Sequence, residues 1–208
     1  MTTNMRIITG TARGIELETL EGLETRPTSA RVKEALFSMI QFDIEGRRVL
    51  DLFAGSGQLG LEALSRGAKS CVFIDSSRQA AETVLKNASK AKLREGCTVS
   101  AYDYEAFLKS KANREKYDLI FLDPPYNTDC MTKALGLIAE GNILEVNGII
   151  VCETDTETDE RKRRAKKSDT TEEDVLCDVF GGSEELKNRF VLKKSTRYGR
   201  TRITLLTL

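Results

Sequence analysis

From Arg47 onward, short apolar runs alternate with segments whose apolar residues recur at helical spacing. The runs at 49–53, 70–74, 97–101, 117–122 and 148–152 are rich in β-branched or aromatic residues, and the segments at 59–66, 78–92, 104–111 and 130–140 carry the helical period. Strand-length runs that alternate with amphipathic helices predict a parallel sheet covered by helices on both faces. The chain on either side of this block is patterned differently. Residues 5–9 and 14–19 alternate around Gly10-Thr11-Ala12-Arg13 and predict a small N-terminal β-hairpin. In 29–40, Val32, Leu36, Phe37 and Ile40 fall on one helical face, with Thr28 or Ser29 placed to cap it. Residues 154–174 break the rhythm: they hold almost no apolar residue and contain the cluster Arg161, Lys162, Arg163, Arg164, Lys166 and Lys167. Such a composition predicts a mobile, solvated loop or a frayed helix. Beyond it, 189–194 and 202–206 read as an antiparallel hairpin closing the sheet edge. The expected fold is therefore α/β, a doubly wound, mostly parallel seven-stranded sheet at 46–208. It carries a hairpin-and-helix extension at 1–45 and a polar insertion at 154–174.

Composition narrows the chemistry more than the fold. A chain of 208 residues is long enough for one compact domain with an appendage. Apolar content of 40% and charged content of 31% describe an ordinary soluble protein. No stretch approaches the roughly 18–20 apolar residues of a membrane helix, and the first residues hold no apolar signal core. A cytoplasmic location without membrane contact is the expectation. The cysteines, Cys71, Cys97, Cys130, Cys152 and Cys177, are odd in number, widely spaced and mostly set in apolar segments. They read as buried free thiols and not as a disulfide framework or a zinc site, because no paired C-x-x-C spacing occurs. The absence of histidine excludes a Ser-His-Asp or Cys-His nucleophile and a His-ligated zinc. Chemistry must come from carboxylates, backbone groups, tyrosines or a cofactor. With zero formal net charge, any nucleic-acid surface must be a local patch.

Two motifs carry that chemistry. Asp123-Pro124-Pro125-Tyr126 follows the apolar run 117–122. Each proline fixes φ and lacks an N–H, so the bend is stiff and neighbouring carbonyls are free to accept from a ligand. An acid before the bend and an aromatic after it suit a flat group with an NH₂ edge, such as a nucleobase; the plainer alternative is a strand-ending turn with a solvated acid. The second motif, Asp51-Leu52-Phe53-Ala54-Gly55-Ser56-Gly57-Gln58-Leu59-Gly60, joins a strand to a helix and satisfies G-x-G-x-x-G, with Asp75 ending the next strand. That pattern alone fits a nicotinamide or flavin dinucleotide as well as S-adenosylmethionine. Asp51, ahead of the glycines, favours the latter: it could accept from a ligand ammonium and would repel a pyrophosphate. If the first and fourth strands are neighbours where the strand order reverses, both motifs face one cleft. Asp103, just past the third strand, would border that cleft or simply cap a helix.

Together these segments resemble the class I methyltransferases, and more narrowly the RsmD family of bacterial small-subunit rRNA guanine-N2 methyltransferases. The likeness lies in Met5-Arg6-Ile7-Ile8 with Gly10 and Arg13-Gly14, in Arg26-Pro27-Thr28 with Arg31, Val32, Glu34 and Leu36-Phe37, and in the glycine loop with the run from Gly60 to Ala68. Asp123 to Tyr126 and Tyr198-Gly199 with Thr201 complete it. It covers residues 5–153 and 189–206. Residues 154–174 depart from the family, where this connection is usually shorter. The resemblance implies S-adenosylmethionine as cofactor and the exocyclic N2 of a guanine in 16S rRNA as acceptor. The substrate would be the RNA itself or a small-subunit assembly particle, and the enzyme a monomer. It further implies that Asp123, Pro124, Pro125 and Tyr126 form the catalytic motif, with Asp123 and the Pro124 carbonyl holding the amine and Tyr126 stacking on the base. Asp51, Phe53, Gly55 and Gly57 would hold the methionine side of the cofactor, with Arg26 and Thr28 closing over its carboxylate. Asp75 would bind the ribose, and Asp103 with Tyr104 the adenine. Candidates for RNA contact are Arg6, Arg13, the 161–167 cluster, and Lys193, Lys194, Arg197, Arg200 and Arg202. The residues alone leave open a methyltransferase of DNA adenine N6 or protein glutamine N5, and a non-catalytic nucleotide- or RNA-binding module.

Overall fold

The apolar runs become strands and the periodic segments helices, in the order the patterning predicts. In this computed structural model, which describes residues 5–20, 30–125, 128–155 and 172–208, α1 (Ala30–Met39) precedes β1 (Arg48–Asp51), α2 (Gln58–Ser65), β2 (Ser70–Asp75) and α3 (Arg78–Lys90). Then follow β3 (Cys97–Ala101), α4 (Tyr104–Lys111), β4 (Tyr117–Leu122), α5 (Cys130–Glu140) and β5 (Leu144–Asp155). The chain ends with α6 (Glu172–Phe180), α7 (Glu184–Arg189), β6 (Val191–Tyr198) and β7 (Thr201–Thr207). The seven-stranded sheet runs β3-β2-β1-β4-β5-β7-β6. Its first five strands pair in parallel, and β7 and β6 close one side antiparallel.

Strand side chains point alternately to the two faces, so each apolar run feeds two cores. Val49, Phe73, Leu119, Phe121, Ile149 and Val151 pack with α1, α2 and α3. Leu50, Ile74, Ile120, Leu122, Ile150 and Cys152 pack with α4, α5 and α6 on the other face. Phe121 is fully buried against Phe37, ring centroids 5.8 Å apart. Burying one such side chain contributes about 1.5–3 kcal/mol.

Three stretches differ from the pattern's expectation. β5 is longer than 148–152, because β7 pairs along it from Ile150 to Asp155 and extends the strand into polar sequence. Helices α6 and α7 were not legible. α6 begins inside 154–174 and buries Val175, Val179 and Phe180, the last two in one core with Leu186 of α7. Residues 156–171, with the basic cluster, lie outside the described residues. The N-terminal hairpin forms only one bridge, Arg6 with Glu16, although Ile7 N–H donates to Ile15 O and Leu17 N–H to Met5 O. The ladder goes no further because the Ile8 and Thr9 N–H groups donate to the Glu62 carboxylate of α2, at 2.7 and 3.0 Å. Ile7, Ala12 and Leu17 are buried in the same core as α1 and α2.

Candidate active site

The strand order reverses between β1 and β4. From β1 the chain winds outward through β2 and β3, then returns to β4 on the other side. The two central strands pair in register, Val49 with Leu119 and Asp51 with Phe121. This brings the glycine loop and the Asp-Pro-Pro segment to neighbouring strand ends, the position at which doubly wound sheets bind ligands.

The glycine loop is shaped by bonds between its backbone and nearby carboxylates. Ala54 N–H donates to Ile74 O at 2.9 Å, and Gly57 N–H to Ala54 O at 2.7 Å. Gly55 N–H donates to Asp75 Oδ2 at 2.9 Å, while Asp75 Oδ1 accepts from Ser77 N–H at 2.9 Å. Asp51 Oδ2 accepts from Gly60 N–H at 3.0 Å. Gly55 and Gly57 both take left-handed conformations, φ +52° and +81°, that other residues rarely adopt. Gly60 serves packing instead: a Cβ there would lie 2.3 Å from the Phe73 ring, so its absence lets α2 lie against β2.

Asp51 is almost completely buried. Burial pushes its carboxyl up to about 7; the Gly60 N–H opposes this, and the charges of Asp123 and Asp75 add to it. β2, β1 and β4 are adjacent parallel strands, so Asp75, Asp51 and Asp123 lie at the same edge of the sheet. A cationic group entering between them would relieve the repulsion. The residues therefore suit a ligand with an ammonium or sulfonium. A Cβ at Gly55 would meet nothing within 4 Å, so the backbone there is open to close approach.

Of the remaining candidates, Phe53 and Tyr104 meet with ring centroids 5.0 Å apart. Tyr104 is half-buried at the start of α4, and burial, with the Cys130 thiol beside it, raises its phenol's pKa. Asp103 caps α4, its Oδ1 accepting from Ala106 N–H at 2.9 Å, so the capping alternative is realised. Asp123 is half-buried, Pro124 buried and Pro125 exposed, and the Pro125 carbonyl accepts from Thr128 Oγ1 at 2.8 Å. Tyr126, Arg26 and Thr28 lie outside the described residues.

Among the RNA candidates, Arg6, Arg13, Lys193, Lys194 and Arg200 are exposed, and Arg200 also pairs with Asp155 at 3.1 Å. Arg197 is half-exposed and donates to Gly199 O. Arg202 does not belong with them: it is 6% exposed and lies 3.7 Å from Asp178. The thiols Cys71, Cys97 and Cys152 are buried as expected, whereas Cys177 is exposed. Two residues were missed. Glu62, fully buried, accepts from Ile8 and Thr9 N–H and from Arg66 Nε, and lies 3.2 Å from Lys33 Nζ. Asn87, also fully buried, bonds the glycine loop. Neither stands out along the sequence: Thr83 is buried on the same helix as Asn87, and Gln58 and Ser65 on the same helix as Glu62.

The architecture and its glycine loop define the class I methyltransferase fold. Within that class, the chain belongs to the family described as conserved hypothetical protein 95, whose model matches residues 5–175. The Bacillus subtilis protein YlbH, a candidate rRNA methyltransferase by its name, is 44% identical over 156 residues, 74% of this chain and 85% of that protein. The Haemophilus influenzae "Ribosomal RNA small subunit methyltransferase D" is 40% identical over 152 residues, 73% of this chain and 79% of that protein. The solved structure of Escherichia coli yhhF, a candidate methyltransferase by its name, superposes with a TM-score of 0.74 at 27% identity, covering 98% of this chain and 97% of that one.

Proposed function

We propose that this protein is an S-adenosylmethionine-dependent methyltransferase of small-subunit ribosomal RNA that modifies the exocyclic N2 of a guanine. The observation that carries this reading is the pairing of β1 with β4, which sets the glycine loop and Asp51 beside Asp123-Pro124. The names of the relatives supply the RNA class, and the family resemblance supplies the guanine amine. On this reading the protein acts as a cytoplasmic monomer on the RNA or on an assembling small-subunit particle.

S-adenosylmethionine, when bound, supplies an electrophilic methyl group on a sulfonium. Asp51, Phe53, Gly55 and Gly57 would hold the methionine side of the cofactor, Asp75 its ribose hydroxyls, and Asp103 with Tyr104 its adenine. Arg26 and Thr28 close over its carboxylate. Asp123 and the Pro124 carbonyl accept the two N–H bonds of the guanine amine, a poor nucleophile because its lone pair is conjugated with the ring. Holding both N–H bonds would orient that lone pair towards the methyl group the cofactor supplies and would stabilise the positive charge that methylation develops on nitrogen. Asp123 would also be the group to take the proton released from the amine, if orientation of the amine alone does not suffice. Tyr126 stacks on the base, which must leave its helical context to reach the cleft.

The test incubates the protein with labelled cofactor and small-subunit rRNA, free or in particles, and digests the product to nucleosides. Label in N2-methylguanine is expected. Label on adenine or on a protein would replace the substrate assignment, and binding of NADH with none of S-adenosylmethionine would restore the dinucleotide alternative.

A further inference from the structure

The glycine loop has a bracing contact that neither its motif nor its carboxylates explain. Asn87, on α3, is fully buried. Its Nδ2 donates to Ser56 O at 2.9 Å and to Glu18 O at 3.0 Å, while its Oδ1 accepts from Glu18 N–H at 2.7 Å. One side-chain amide thus closes a two-bond clamp on Glu18 and holds the carbonyl between the two left-handed glycines. A second contact runs the same way, from Ser56 Oγ to Met5 Sδ at 3.3 Å. The N-terminal segment is also anchored to α1, through Lys33 Nζ to Arg6 O at 2.6 Å, and to α2, through Glu62 and through Thr11 N–H to Ser65 O at 2.8 Å.

Glycines on both sides of Ser56 leave its peptide free to adopt several orientations, so its position must be imposed from outside. Asn87 imposes it, and the same amide meets its remaining bonding capacity only when Glu18 is docked. We propose that Asn87 is a positioning residue that couples docking of the N-terminal segment around Glu18 to the shape of the cofactor loop. Cofactor binding and order at Glu18 then rise and fall together, each by the same factor, as linkage requires. This inference rests on the assignment of the glycine loop as the cofactor site.

Amide hydrogen exchange and calorimetry on the full chain test it. In the wild type, saturating S-adenosylmethionine should slow exchange of the Glu18 amide about fivefold or more. The Ile8 and Thr9 amides, held by Glu62, should change little and serve as internal controls. Asn87→Asp keeps the acceptor for Glu18 N–H but turns both donors into an oxygen facing two carbonyls. It should weaken cofactor affinity about tenfold, leave kcat at saturating cofactor within about threefold, and abolish the cofactor-dependent slowing at Glu18. A purely structural role would lower stability without this split between affinity and kcat. Wild-type affinity in a folded Asn87→Asp overturns the proposal. So does an unchanged Glu18 exchange rate in the cofactor-bound wild type, a result that stands even if the variant does not fold. Failure of the wild type to bind S-adenosylmethionine at all would instead overturn the site assignment beneath it.

Discussion

The two lips of the cleft are held in shape by different means. On the β1 side, the glycine loop is intrinsically loose and is fixed by side chains: Asp75 on Gly55 N–H, Asp51 on Gly60 N–H, Asn87 on Ser56 O. On the β4 side, Asp123 is followed by two prolines, and among the described residues Thr128 donates to the Pro125 carbonyl just after the bend. Stiffness there is covalent, because each pyrrolidine ring fixes φ. The first lip can give and re-form around a large flexible ligand, provided its braces are intact. The second presents one carboxylate and one carbonyl at a set spacing, which suits positioning a reacting amine. Damage to the first lip should therefore appear in cofactor affinity, and damage to the second in the rate of transfer.

The largest expected effect separates the lips most cleanly. Asp123→Ala should lower methyl transfer at saturating cofactor by about a thousandfold, the upper end of what one pre-placed charge-stabilising group contributes. Cofactor affinity by calorimetry should stay within about threefold, since the brace on the glycine loop is untouched. Near-wild-type turnover would remove Asp123 from the reacting centre, and loss of cofactor binding would merge the two lips into one.

Next comes the pH response of Asp51. Its folded pKa of about 7 lies above the ordinary 3.8. The folded state therefore holds a proton that the unfolded chain has released, and the cofactor-free protein should lose stability as pH rises from about 4 to about 7, then level off. The slope within that window is at most about 1.4 kcal/mol per pH unit. Asp51→Asn should abolish it in chemical denaturation at pH 5, 6, 7 and 8. If the Asp51 carboxylate receives the cofactor's ammonium, binding favours the ionised form, and wild-type affinity should rise towards pH 7 and flatten above it. Equal stability slopes in wild type and Asp51→Asn would place the titration elsewhere.

A smaller effect tests whether the loop's shape depends on its backbone. Gly57→Ala puts a Cβ 3.1 Å from a Val84 methyl at φ +81°. A non-glycine residue in that region costs about 1–2 kcal/mol, which if released by loop rearrangement weakens cofactor binding about tenfold, with kcat little changed. Unchanged affinity would mean that the left-handed turn is not needed for the bound state.

The lips also differ in how readily a sequence discloses them. The Asp-Pro-Pro bend, the glycines and Asp75 were legible because each is a local device: ring closure, positive φ, and a carboxylate one strand further on. The alternating apolar runs likewise disclosed the sheet, since a buried parallel strand must be apolar on both faces. Asn87 and Glu62 were not legible, because their partners lie 31 to 69 and 53 to 54 residues away and nothing local marks a polar residue as buried. Helices α6 and α7 were hidden by their short length and acid-rich sequence, although Val175, Val179, Phe180 and Leu186 are buried and Leu176 packs against the core. Arg202 shows the converse error. The sequence groups it with Lys193, Lys194, Arg197 and Arg200 as a candidate for RNA contact, but its side chain is buried against Asp178.

The smallest expected effect bears on the claim that the β4 lip is stiff by covalent constraint. Pro125 is exposed, so replacing it removes little packing. Pro125→Ala frees φ at that residue and restores an N–H that solvent can satisfy, leaving Asp123 and Pro124 in place. Freeing one backbone torsion costs about 0.4–1 kcal/mol of pre-organisation. Transfer at saturating cofactor should therefore slow about two- to fivefold, with cofactor affinity unchanged and the deficit growing with temperature as the freed torsion samples more states. Asn87→Asp, on the other lip, should give the opposite pattern of weakened affinity and nearly normal turnover. If Pro125→Ala lowers affinity instead, the prolines shape the cofactor side as well, and the division of labour between the lips fails.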